Sequence, residues 1–465
     1  QTHSGWILEC IMSYRKGITM YQIDFNHPIH IHFIGIGGIS MSGLAEILLS
    51  RGFIVSGSDR IHSALTDMLE EAGATVCYRQ IAENISDDID LAVYTAAIHS
   101  DNPEYAAVVE KGIPTLSRAQ LLGQIMRNYK IPVAISGTHG KTTTTSMISE
   151  ILIKAEADPT LSVGGILRSI GGNIRIGKSD YFVTEACEYT NSFLSFFPKI
   201  GVILNVEEDH LDFFHDIYEI RESFHRFASL LPDDGLLIIN GSIEGLSDIV
   251  KGLKCTVLTY GKNSSCDYSY TDLTFDEMAR PTFTLQDKWG HRETVTLSVS
   301  GEHNVSNAVA AMALSDALSL PRQTAITALA QFSGTDRRFE YKGQIGGVTI
   351  IDDYAHHPTE ITASLQAAVN YPHRTLWCVF QPHTYTRTKA FLPEFARALS
   401  LADKVVLADI YAARETDTLG ISSRTLQEEI SKLGKECFYF PSFDEIENFL
   451  LERCSHGDLL ITMGA

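Results

Sequence analysis

The amino-acid sequence predicts an α/β protein of three domains, each built on a mostly parallel sheet flanked by helices. Short runs rich in β-branched residues alternate with helical segments, which is the pattern of parallel strands joined by helices. The length of 465 residues allows two to four domains. Breaks in the pattern at 127–132 and 332–336 predict domains at 20–129, 130–335 and 336–465.

The predicted strands lie where apolar runs end in glycine-rich or polar turns. In chain order they are 30–34, 53–56, 91–94, 133–136, 181–184, 201–204, 236–239, 348–351, 376–380 and 404–408. A helix is predicted over 41–50, after the first strand. Polar and apolar residues alternate in parts of 264–299, which indicates antiparallel strands added to the middle domain.

The composition indicates a globular protein and disfavours several other classes. Hydrophobic residues make up 44% of the chain, yet no apolar run approaches the ~20 residues of a membrane helix. The 57 acidic residues exceed the 37 Lys and Arg residues, and the net charge of −20 disfavours nucleic-acid binding. The eight cysteines form no CxxC pair, which is typical of free thiols. We therefore expect a cytoplasmic protein with no nucleic-acid or membrane partner.

The two ends of the chain are interpreted separately. Residues 1–19 have no sustained periodicity and no long apolar run, so we expect an extension before the domains rather than a signal peptide. Met20 is a plausible start. At the other end a predicted strand runs into a glycine-containing loop, and we expect the natural chain to continue.

The first glycine-rich turn is Gly35-Ile36-Gly37-Gly38-Ile39-Ser40, between a predicted strand and a helix. The N-terminus of a helix offers free N–H groups and a positive dipole end, which suit a diphosphate. Asp59 follows the next strand, where a carboxylate can meet a ribose hydroxyl. Because Ser40 stands in place of the third glycine of GxGxxG, a plain strand–helix turn remains an alternative. A dinucleotide and a nucleotide sugar fit equally well.

A second glycine-rich turn, at 137–143, gives a stronger signal. The spacing G-x-x-G-K-T is two residues shorter than the usual phosphate-binding loop, but it again lies between a buried strand and a helix. Lys141 would reach the β- and γ-phosphates of a nucleotide, and the hydroxyl of Thr142 would reach Mg²⁺. The alternative is a surface loop with an incidental lysine. The candidate phosphate ligands are Gly137, Thr138, His139, Gly140, Lys141, Thr142 and Thr143.

Acidic residues and a histidine follow the next two predicted strands. Glu185 and Glu188 come after one strand, and His210 ends the segment 205–210 after the other. The carboxyl ends of parallel strands gather ligands, and Mg²⁺ prefers oxygen donors such as Glu185. His210 is an unusual Mg²⁺ ligand, so an ordinary loop histidine remains an alternative. The acidic residues near it are equally consistent with a solvated loop: Glu207, Glu208, Asp209 and Asp212.

Further polar residues follow later elements. Asn304 and Asn307 lie at the start of an alanine-rich helix, where their amides could pair with an adenine edge, although Asn304 could instead cap the helix. The mixture of His, Tyr and Arg at 352–360 and 381–388 suits carboxylate and phosphate recognition. The pair at 356–357 could indicate zinc, but no third soft ligand follows at useful spacing.

Four motifs together resemble the Mur ligase family from about residue 20 to the end of the chain. They are Gly35-Ile36-Gly37-Gly38 with 41–45, the turn at 137–143, Glu302-His303-Asn304-Val305-Ser306-Asn307, and Asp352-Asp353-Tyr354-Ala355-His356-His357-Pro358. The resemblance implies a Rossmann-like N-terminal domain for a UDP-sugar, a P-loop ATPase in the middle, and a Rossmann-like C-terminal domain that closes over the site and takes the amino acid.

The resemblance also implies the reaction and the partners. ATP, with Mg²⁺, would phosphorylate the lactyl carboxylate of UDP-N-acetylmuramate, and L-alanine would attack the acyl phosphate to form an amide, in peptidoglycan precursor synthesis. A monomer or weak homodimer is expected. The absence of a lysine from 221–226 resembles the alanine-adding branch, since several relatives carry a carbamylated lysine there.

Roles for individual residues follow from the same resemblance. Thr142 and Glu185 would hold the ATP-linked Mg²⁺, and His210 would hold a second Mg²⁺. Lys141, His210, His356 and Arg387 would act in catalysis, with Tyr354 assisting. The other implied nucleotide contacts are Asn304, Asn307, Arg338 and Asp353. The implied UDP-sugar contacts are Gly35, Gly37, Gly38, Ile39, Ser40 and Asp59. Thr384 stands where some members have arginine, which puts part of the substrate clamp in question.

Three other functions remain open at this point. A related ligase attaches a tripeptide to the same nucleotide sugar, and the first turn favours the alanine branch over it. A non-catalytic nucleotide-binding module would keep the phosphate loop without forming an amide. An NAD-dependent oxidoreductase would use only the first turn, and the second phosphate loop disfavours it.

Overall fold

The structure is a computed structural model that describes residues 21–95, 97–413, 415–417 and 419–464. The expected extension at 1–19, the proposed start at Met20 and the last residue lie outside this part of the chain. One compact unit ends at Asn128 and a second begins at Tyr129. Within the described residues, no helix combines the length and apolar character needed to cross a bilayer.

The first unit contains one parallel sheet with the strand order β3-β2-β1-β4-β5. Its strands are β1 (His30–Ile34), β2 (Ile54–Ser58), β3 (Thr75–Cys77), β4 (Leu91–Tyr94) and β5 (Thr115–Ser117). Its helices are α1 (Ile39–Ser50), α2 (Ala64–Glu71), α3 (Pro103–Glu110) and α4 (Arg118–Met126), with a 3-10 turn at Ala82–Asn84. Every residue of β1 is buried because the strand is central. The chain reverses its direction of strand addition at β1, so the first glycine-rich turn lies at a topological switch point.

The second unit begins with a ten-stranded sheet in the order β15-β14-β13-β12-β11-β10-β6-β9-β7-β8. Its strands are β6 (Ile131–Ser136), β7 (Thr160–Leu167), β8 (Gly172–Arg175), β9 (Tyr181–Ala186), β10 (Ile200–Ile203), β11 (Leu236–Asn240), β12 (Thr256–Gly261), β13 (Tyr268–Phe275), β14 (Pro281–Asp287) and β15 (Arg292–Thr296). The antiparallel strands expected within 264–299 are confirmed, since β14 pairs with both β13 and β15 in that sense.

Helices cover this sheet and build its core. They are α5 (Lys141–Lys154), α6 (Ile217–Ala228), α7 (Leu246–Val250), α8 (Glu302–Ala317) and α9 (Arg322–Gln331), with 3-10 turns at Arg168–Ile170 and Tyr189–Ser195. The alanine-rich α8 is buried from Val305 to Leu314 apart from Ser306, and its small side chains let it pack closely against α5 and the sheet. The phosphate loop leads directly into α5, and α8 packs against α5.

A six-stranded sheet follows in the order β16-β17-β21-β18-β19-β20. Its strands are β16 (Glu340–Ile345), β17 (Val348–Asp353), β18 (Leu376–Phe380), β19 (Lys404–Leu407), β20 (Glu436–Tyr439) and β21 (Leu459–Met463). Its helices are α10 (Pro358–Val369), α11 (Tyr385–Ala390), α12 (Leu392–Leu399), α13 (Ser423–Lys432) and α14 (Phe443–Arg453). All pairs are parallel except β16 with β17.

The predicted fold class is confirmed, with differences at element ends. The helix expected from Met41 begins at Ile39, and the strand expected over 53–56 is Ile54–Ser58. The short strands β3, β5 and β20 were missed because three or four half-buried residues carry little periodic signal. Strands β7 and β8, at one end of the ten-stranded sheet, were also missed, since glycines interrupt their alternation.

Candidate active site

The phosphate loop, residues 137–141, joins the end of β6 to α5. Gly137 and Gly140 have φ angles of 145° and 81°, in the region that favours glycine. A Cβ on Gly137 would lie 2.9 Å from the Cβ of Leu204, and one on Gly140 would lie 2.8 Å from Oδ1 of Asn307. Both glycines are therefore required by backbone conformation and by close approach of β10 and α8.

Asn205 fastens this loop to the end of β10. Its Oδ1 accepts the N–H of His139 at 2.7 Å, and its Nδ2 donates to the carbonyl of the same residue at 3.1 Å. The N–H of Thr138 donates to the Asn205 carbonyl at 3.2 Å. The N–H groups that remain for an anion are those at the start of α5, which has no side-chain cap and no acidic residue in its first turn.

Lys141 lies along the loop and forms an ion pair with Glu188. Its Nζ donates to the carbonyls of Gly137 and Thr138, the latter at 2.9 Å, and is 3.1 Å from Oε2 of Glu188. The two side chains are 16% and 3% exposed. Burial alone would lower the pKa of Lys141, but Glu188 raises it, so the ammonium stays charged. The loop therefore holds a positive charge beside the helix N-terminus.

Glu185, at the end of β9, is held in a cradle that suits a cation. Its Oε2 accepts the hydroxyl of Thr142 at 3.1 Å, and its Oε1 accepts the N–H of Gly164 at 2.6 Å. A Cβ on Gly164 would lie 2.6–2.8 Å from the carboxylate. Burial raises the pKa of Glu185 in spite of these donors, so a bound cation would relieve its desolvation. A carboxylate and a hydroxyl are oxygen donors of the kind that Mg²⁺ prefers.

His210 lies on the other side of Glu188. Its Nε2 is 4.0 Å from Oε1 of Glu188 and 3.9 Å from Oδ2 of Asp209, and its ring stacks on Tyr189 at 4.5 Å. Its φ of 53° marks a backbone conformation that is uncommon outside glycine. The structure thus places His210 beside two carboxylates rather than in an isolated loop.

The interpretation of the acidic segment as a solvated loop is wrong for Asp209, whereas Glu208 and Asp212 are exposed. Asp209 is 6% exposed, and its Oδ1 accepts from Nε and Nη2 of Arg387 at 3.1 and 3.0 Å. Burial alone would raise the pKa of Asp209, but the charge of Arg387 holds it well below its usual value. Arg387 also contacts Nδ1 of His383 at 3.1 Å. The Asp209–Arg387 ion pair joins the parts of the chain that carry the ten-stranded and six-stranded sheets.

The loop after β17 contributes a second group of side chains. Asp353 is buried, accepts a hydrogen bond from Ser364 and accepts the N–H of Ala355 at 3.2 Å. Burial raises its pKa to about 6. The guanidinium of Arg338 lies 5.0 Å from the ring centroid of Tyr354, as a cation–π contact.

His356 is in the same loop. Its Nδ1 is 3.0 Å from the carbonyl of Tyr354, and its ring centroid is 5.9 Å from that of His383. Burial lowers the pKa of His356, which keeps the ring neutral, and the Tyr354 carbonyl fixes the proton on Nδ1. Nε2 is then the acceptor atom of the ring.

The two asparagines at the start of α8 are buried and bonded to each other. Nδ2 of Asn307 donates to Oδ1 of Asn304 at 3.1 Å, and Nδ2 of Asn304 donates to the carbonyl of Ser300 at 2.8 Å. The N-cap of α8 is Gly301, so the alternative that Asn304 caps the helix is wrong. Their contact with adenine stays a prediction.

His357 forms a cluster with residues far away in sequence. Its ring lies 4.6 Å from that of His139, and Glu207 offers a carboxylate oxygen within 4.8 Å of a nitrogen of each. These are the partners that sequence spacing did not provide for the His-His pair. Nε2 of His357 is 3.1 Å from the Glu208 carbonyl and its Nδ1 accepts the N–H of Thr359 at 3.3 Å, so both nitrogens already serve hydrogen bonds. The donor set therefore fits a hydrogen-bonded cluster better than zinc.

In the first unit, the side chain of Asp59 is hydrogen-bonded to the backbone of the glycine-rich turn at 35–40. Its Oδ2 accepts the N–H of Gly37 at 2.8 Å, and a Cβ on Gly37 would lie 2.8 Å from the same oxygen. The first turn of α1 has no acidic residue, and Ile39 is exposed there. Nη1 of Arg118 donates to Oγ of Ser40 at 3.0 Å, which brings a positive charge to the turn.

Sequence reasoning missed several of these residues. Arg118 is 78 residues from Ser40, and Asp209 is 178 residues from Arg387, so neither pairing leaves a local signal. The role of Asn205 was also missed, although its position directly after a predicted strand was a usable signal.

Comparisons with known proteins bear on the whole chain. Three Mur ligase family models match it: the catalytic domain at residues 30–130, the middle domain at 135–315 and the glutamate ligase domain at 337–465. The chain is 60% identical over 447 residues to a UDP-N-acetylmuramate–L-alanine ligase of Lachnospira eligens, covering 96% of this chain and 97% of the relative. It is 59% identical over 446 residues to the ligase of the same name from Agathobacter rectalis, with 96% and 97% covered.

Solved structures agree with these relatives. The UDP-N-acetylmuramate-alanine ligase of Thermotoga maritima matches with a TM-score of 0.76 and 29% identity, covering 94% of this chain and 96% of that chain. A murein peptide ligase from Psychrobacter arcticus matches with a TM-score of 0.68 and 27% identity, covering 94% and 95%.

Proposed function

The chain belongs to the Mur ligase family, and we propose that it joins L-alanine to the lactyl carboxylate of UDP-N-acetylmuramate at the expense of ATP. The observation that carries this function is the combination of two groups of residues. One is the phosphate loop, in which Lys141 is paired with Glu188, and the other is the ion pair by which Arg387, from the part with the six-stranded sheet, contacts Asp209. One set of groups suits a triphosphate and the other suits a carboxylate substrate. The proposed domains are 20–129 for the UDP-sugar, 130–335 for ATP and 336–465 for the amino acid.

The chemistry requires activation because a carboxylate resists attack by an amine. A lactyl carboxylate oxygen attacks the γ-phosphorus of ATP, the bond from phosphorus to ADP breaks, and an acyl phosphate forms. The amine of alanine attacks the acyl carbon, the tetrahedral intermediate collapses, and the carbon–oxygen bond to phosphate breaks. Lys141 and the N-terminus of α5 offset the charge that spreads over the transferring phosphoryl group.

Thr142 and Glu185 would hold the ATP-linked Mg²⁺, His210 would hold a second Mg²⁺, and both ions would neutralise phosphate charge. Glu185 is the donor whose surroundings fit a cation best, because its cradle leaves it desolvated without a direct ion pair to a basic side chain. The remaining nucleotide contacts in this proposal are Gly137, Thr138, Gly140, Thr143, Asn304, Asn307, Arg338 and Asp353.

The substrate side of the proposal rests on the six-stranded sheet and on the first unit. Arg387, fixed by Asp209, would orient the carboxylate and the phosphoryl group, and Nε2 of neutral His356 would accept a hydrogen bond from the amine. The UDP-sugar would bind the turn of the first unit, at Gly35, Gly37, Gly38, Ile39, Ser40 and Asp59.

Since ATP and nucleotide sugars are cytoplasmic metabolites, we place the enzyme in the cytoplasm. A monomer or weak homodimer remains the expected assembly.

An acceptor screen tests the proposal. With ATP, Mg²⁺ and UDP-N-acetylmuramate, phosphate release should require L-alanine, and the product should be the alanyl amide. The tripeptide L-alanyl-γ-D-glutamyl-meso-diaminopimelate should not replace alanine. Faster turnover with the tripeptide would assign the chain to the murein peptide ligases, and equal phosphate release with no amino acid would refute ligation.

A further inference from the structure

His139 connects the phosphate loop to the start of α10, a helix that flanks the six-stranded sheet. Its Nδ1 is 3.2 Å from Oε1 of Glu360, and its Nε2 is 3.6 Å from Oε2 of Glu207. The His139 side chain is 11% exposed, and Glu360 is 15% exposed. The ring is therefore largely buried between two carboxylates, one from the segment after β10 and one from α10.

The backbone N–H and carbonyl of His139 are both occupied by hydrogen bonds within the protein. Asn205 engages both its N–H and its carbonyl, so this residue does not offer a backbone donor to a phosphate. Burial alone would lower the pKa of His139, but Glu207 and Glu360 raise it to about 9. The ring is therefore an imidazolium with two carboxylate partners, and not a free ligand for ATP.

Glu360 carries the connection onward to the residues before α10. Its Oε2 accepts the N–H of His356 at 3.1 Å and that of His357 at 3.3 Å, as the third residue of a capping box. The same carboxylate therefore holds the phosphate loop with one oxygen and the backbone of His356 with the other. A continuous chain of contacts runs from the loop to the ring proposed to receive the amine.

Neighbouring contacts support the same junction. The hydroxyl of Thr359 donates to Oε2 of Glu207 at 2.7 Å, and Nε2 of His357 is 3.1 Å from the carbonyl of Glu208. These bonds join the segment after β10 to the first residues of α10. The junction also includes apolar contacts, since Leu211, Met278 and Ala279 pack against the core of the six-stranded sheet.

We propose that His139 is a positioning residue that, through Glu360, aligns His356 with the phosphate loop when nucleotide is bound. This inference rests on the proposed function, since it assigns His139 a place in that site other than the phosphate contact expected from the sequence. His139 acts on catalysis through Glu360 and does not touch the reacting atoms.

A double-mutant cycle tests the pairing. His139→Gln and Glu360→Gln are each expected to lower kcat about tenfold while changing the Kd of a non-hydrolysable ATP analogue less than twofold. Glutamine at 360 can still cap α10, so this variant keeps the helix start. The double variant should lose no more than either single variant, because both remove one contact. Matched controls are His291→Gln, whose ring pairs with Asp287, and Glu394→Gln, which pairs with Arg397.

Hydrogen exchange gives a readout that does not depend on ligation. In the wild type, the ATP analogue should slow amide exchange about tenfold in the first two turns of α10, and both single variants should lose that effect. If His139→Gln is poorly folded, Glu360→Gln decides the matter alone. An ATP-analogue Kd that rises tenfold with kcat unchanged, or additive losses in the double variant, would overturn the inference. A wild type that protects α10 but forms no alanyl amide would refute the proposed function instead.

Discussion

Two largely buried cations of the candidate site, Lys141 and Arg387, are neutralised by carboxylate partners, whereas the buried carboxyl of Asp353 has no ion pair among the described residues. Lys141 depends on Glu188, Arg387 depends on Asp209, and Asp353 has only hydroxyl and N–H donors in direct contact. A buried charge that loses its partner is costly, whereas removing both members of a pair costs much less. Substitutions at these residues should therefore separate stability from catalysis.

The Lys141–Glu188 pair gives the first such separation. Lys141→Met should reduce turnover at least ~10²-fold, because the transferring phosphoryl group loses its cation. It should also destabilise the protein by about 3 kcal/mol, since Glu188 is left buried and unpaired. Lys141→Met with Glu188→Gln should recover the melting temperature but not the turnover. Lys130→Met, in an exposed pair with Asp180, is the control. Substantial activity in either Lys141 variant would contradict the assignment of the phosphate loop.

Asp353 gives a prediction about pH. Its pKa is raised to about 6 by burial, so the folded state binds a proton more tightly than the unfolded chain does. Its favourable contribution is complete at acid pH and is lost as the pH rises from about 4 to about 6. Asp353→Asn, which cannot ionise, should therefore gain in melting temperature relative to the wild type over that range and hold its gain above it. Asp180→Asn is the surface control, and a difference that does not change with pH would refute the prediction.

Elements bring these residues together through the order of strands. β10, β6 and β9 are neighbours in one parallel sheet, so the loops that follow them meet at one edge. In the other sheet β17 and β18 both pair with β21, which brings the loops after β17 and β18 to the same edge. For this reason, the sequence could predict that the polar residues following the strands lie at one edge of each sheet.

The prediction at this scale concerns the contact between β7 and β9. Gly164→Ala would place a methyl group 2.6–2.8 Å from the Glu185 carboxylate and displace it. The Mg²⁺ concentration for half-maximal activity should rise about tenfold, by analogy with the loss of a residue that supports a metal ligand. Gly172→Ala is the matched control, because a Cβ there would meet nothing within 4 Å. An unchanged requirement for Mg²⁺ would show that Glu185 does not bind the metal.

What the sequence could predict depended on whether the contributing residues are contiguous. The phosphate loop is one segment between a strand and a helix, so its glycines, Lys141 and Thr142 could be predicted from their spacing and from that local context. The pairing of Arg387 with Asp209, and that of His139 with Glu360 across 221 residues, arises only when the two sheets pack together. Local spacing carries no information on such pairings.

At the scale of the whole molecule, the second unit holds two sheets, each with its own core, that meet through charged contacts and through Leu211, Met278 and Ala279, which pack against the core of the six-stranded sheet. One core lies under α5 and α8, and another under α10 and α12. Contacts between them include His139–Glu360, Thr359–Glu207 and Arg387–Asp209. In this assembled state, ATP held by the phosphate loop would pass its γ-phosphoryl group to the substrate carboxylate.

An isotope measurement tests whether the phosphoryl group of ATP is transferred to the lactyl carboxylate. UDP-N-acetylmuramate labelled with ¹⁸O in both lactyl carboxylate oxygens is incubated with ATP, Mg²⁺, L-alanine and the enzyme. Because the acyl phosphate breaks at its carbon–oxygen bond, each released phosphate should carry one ¹⁸O atom, and the amide should keep the other. Phosphate without ¹⁸O, released in step with amide formation, would contradict the account.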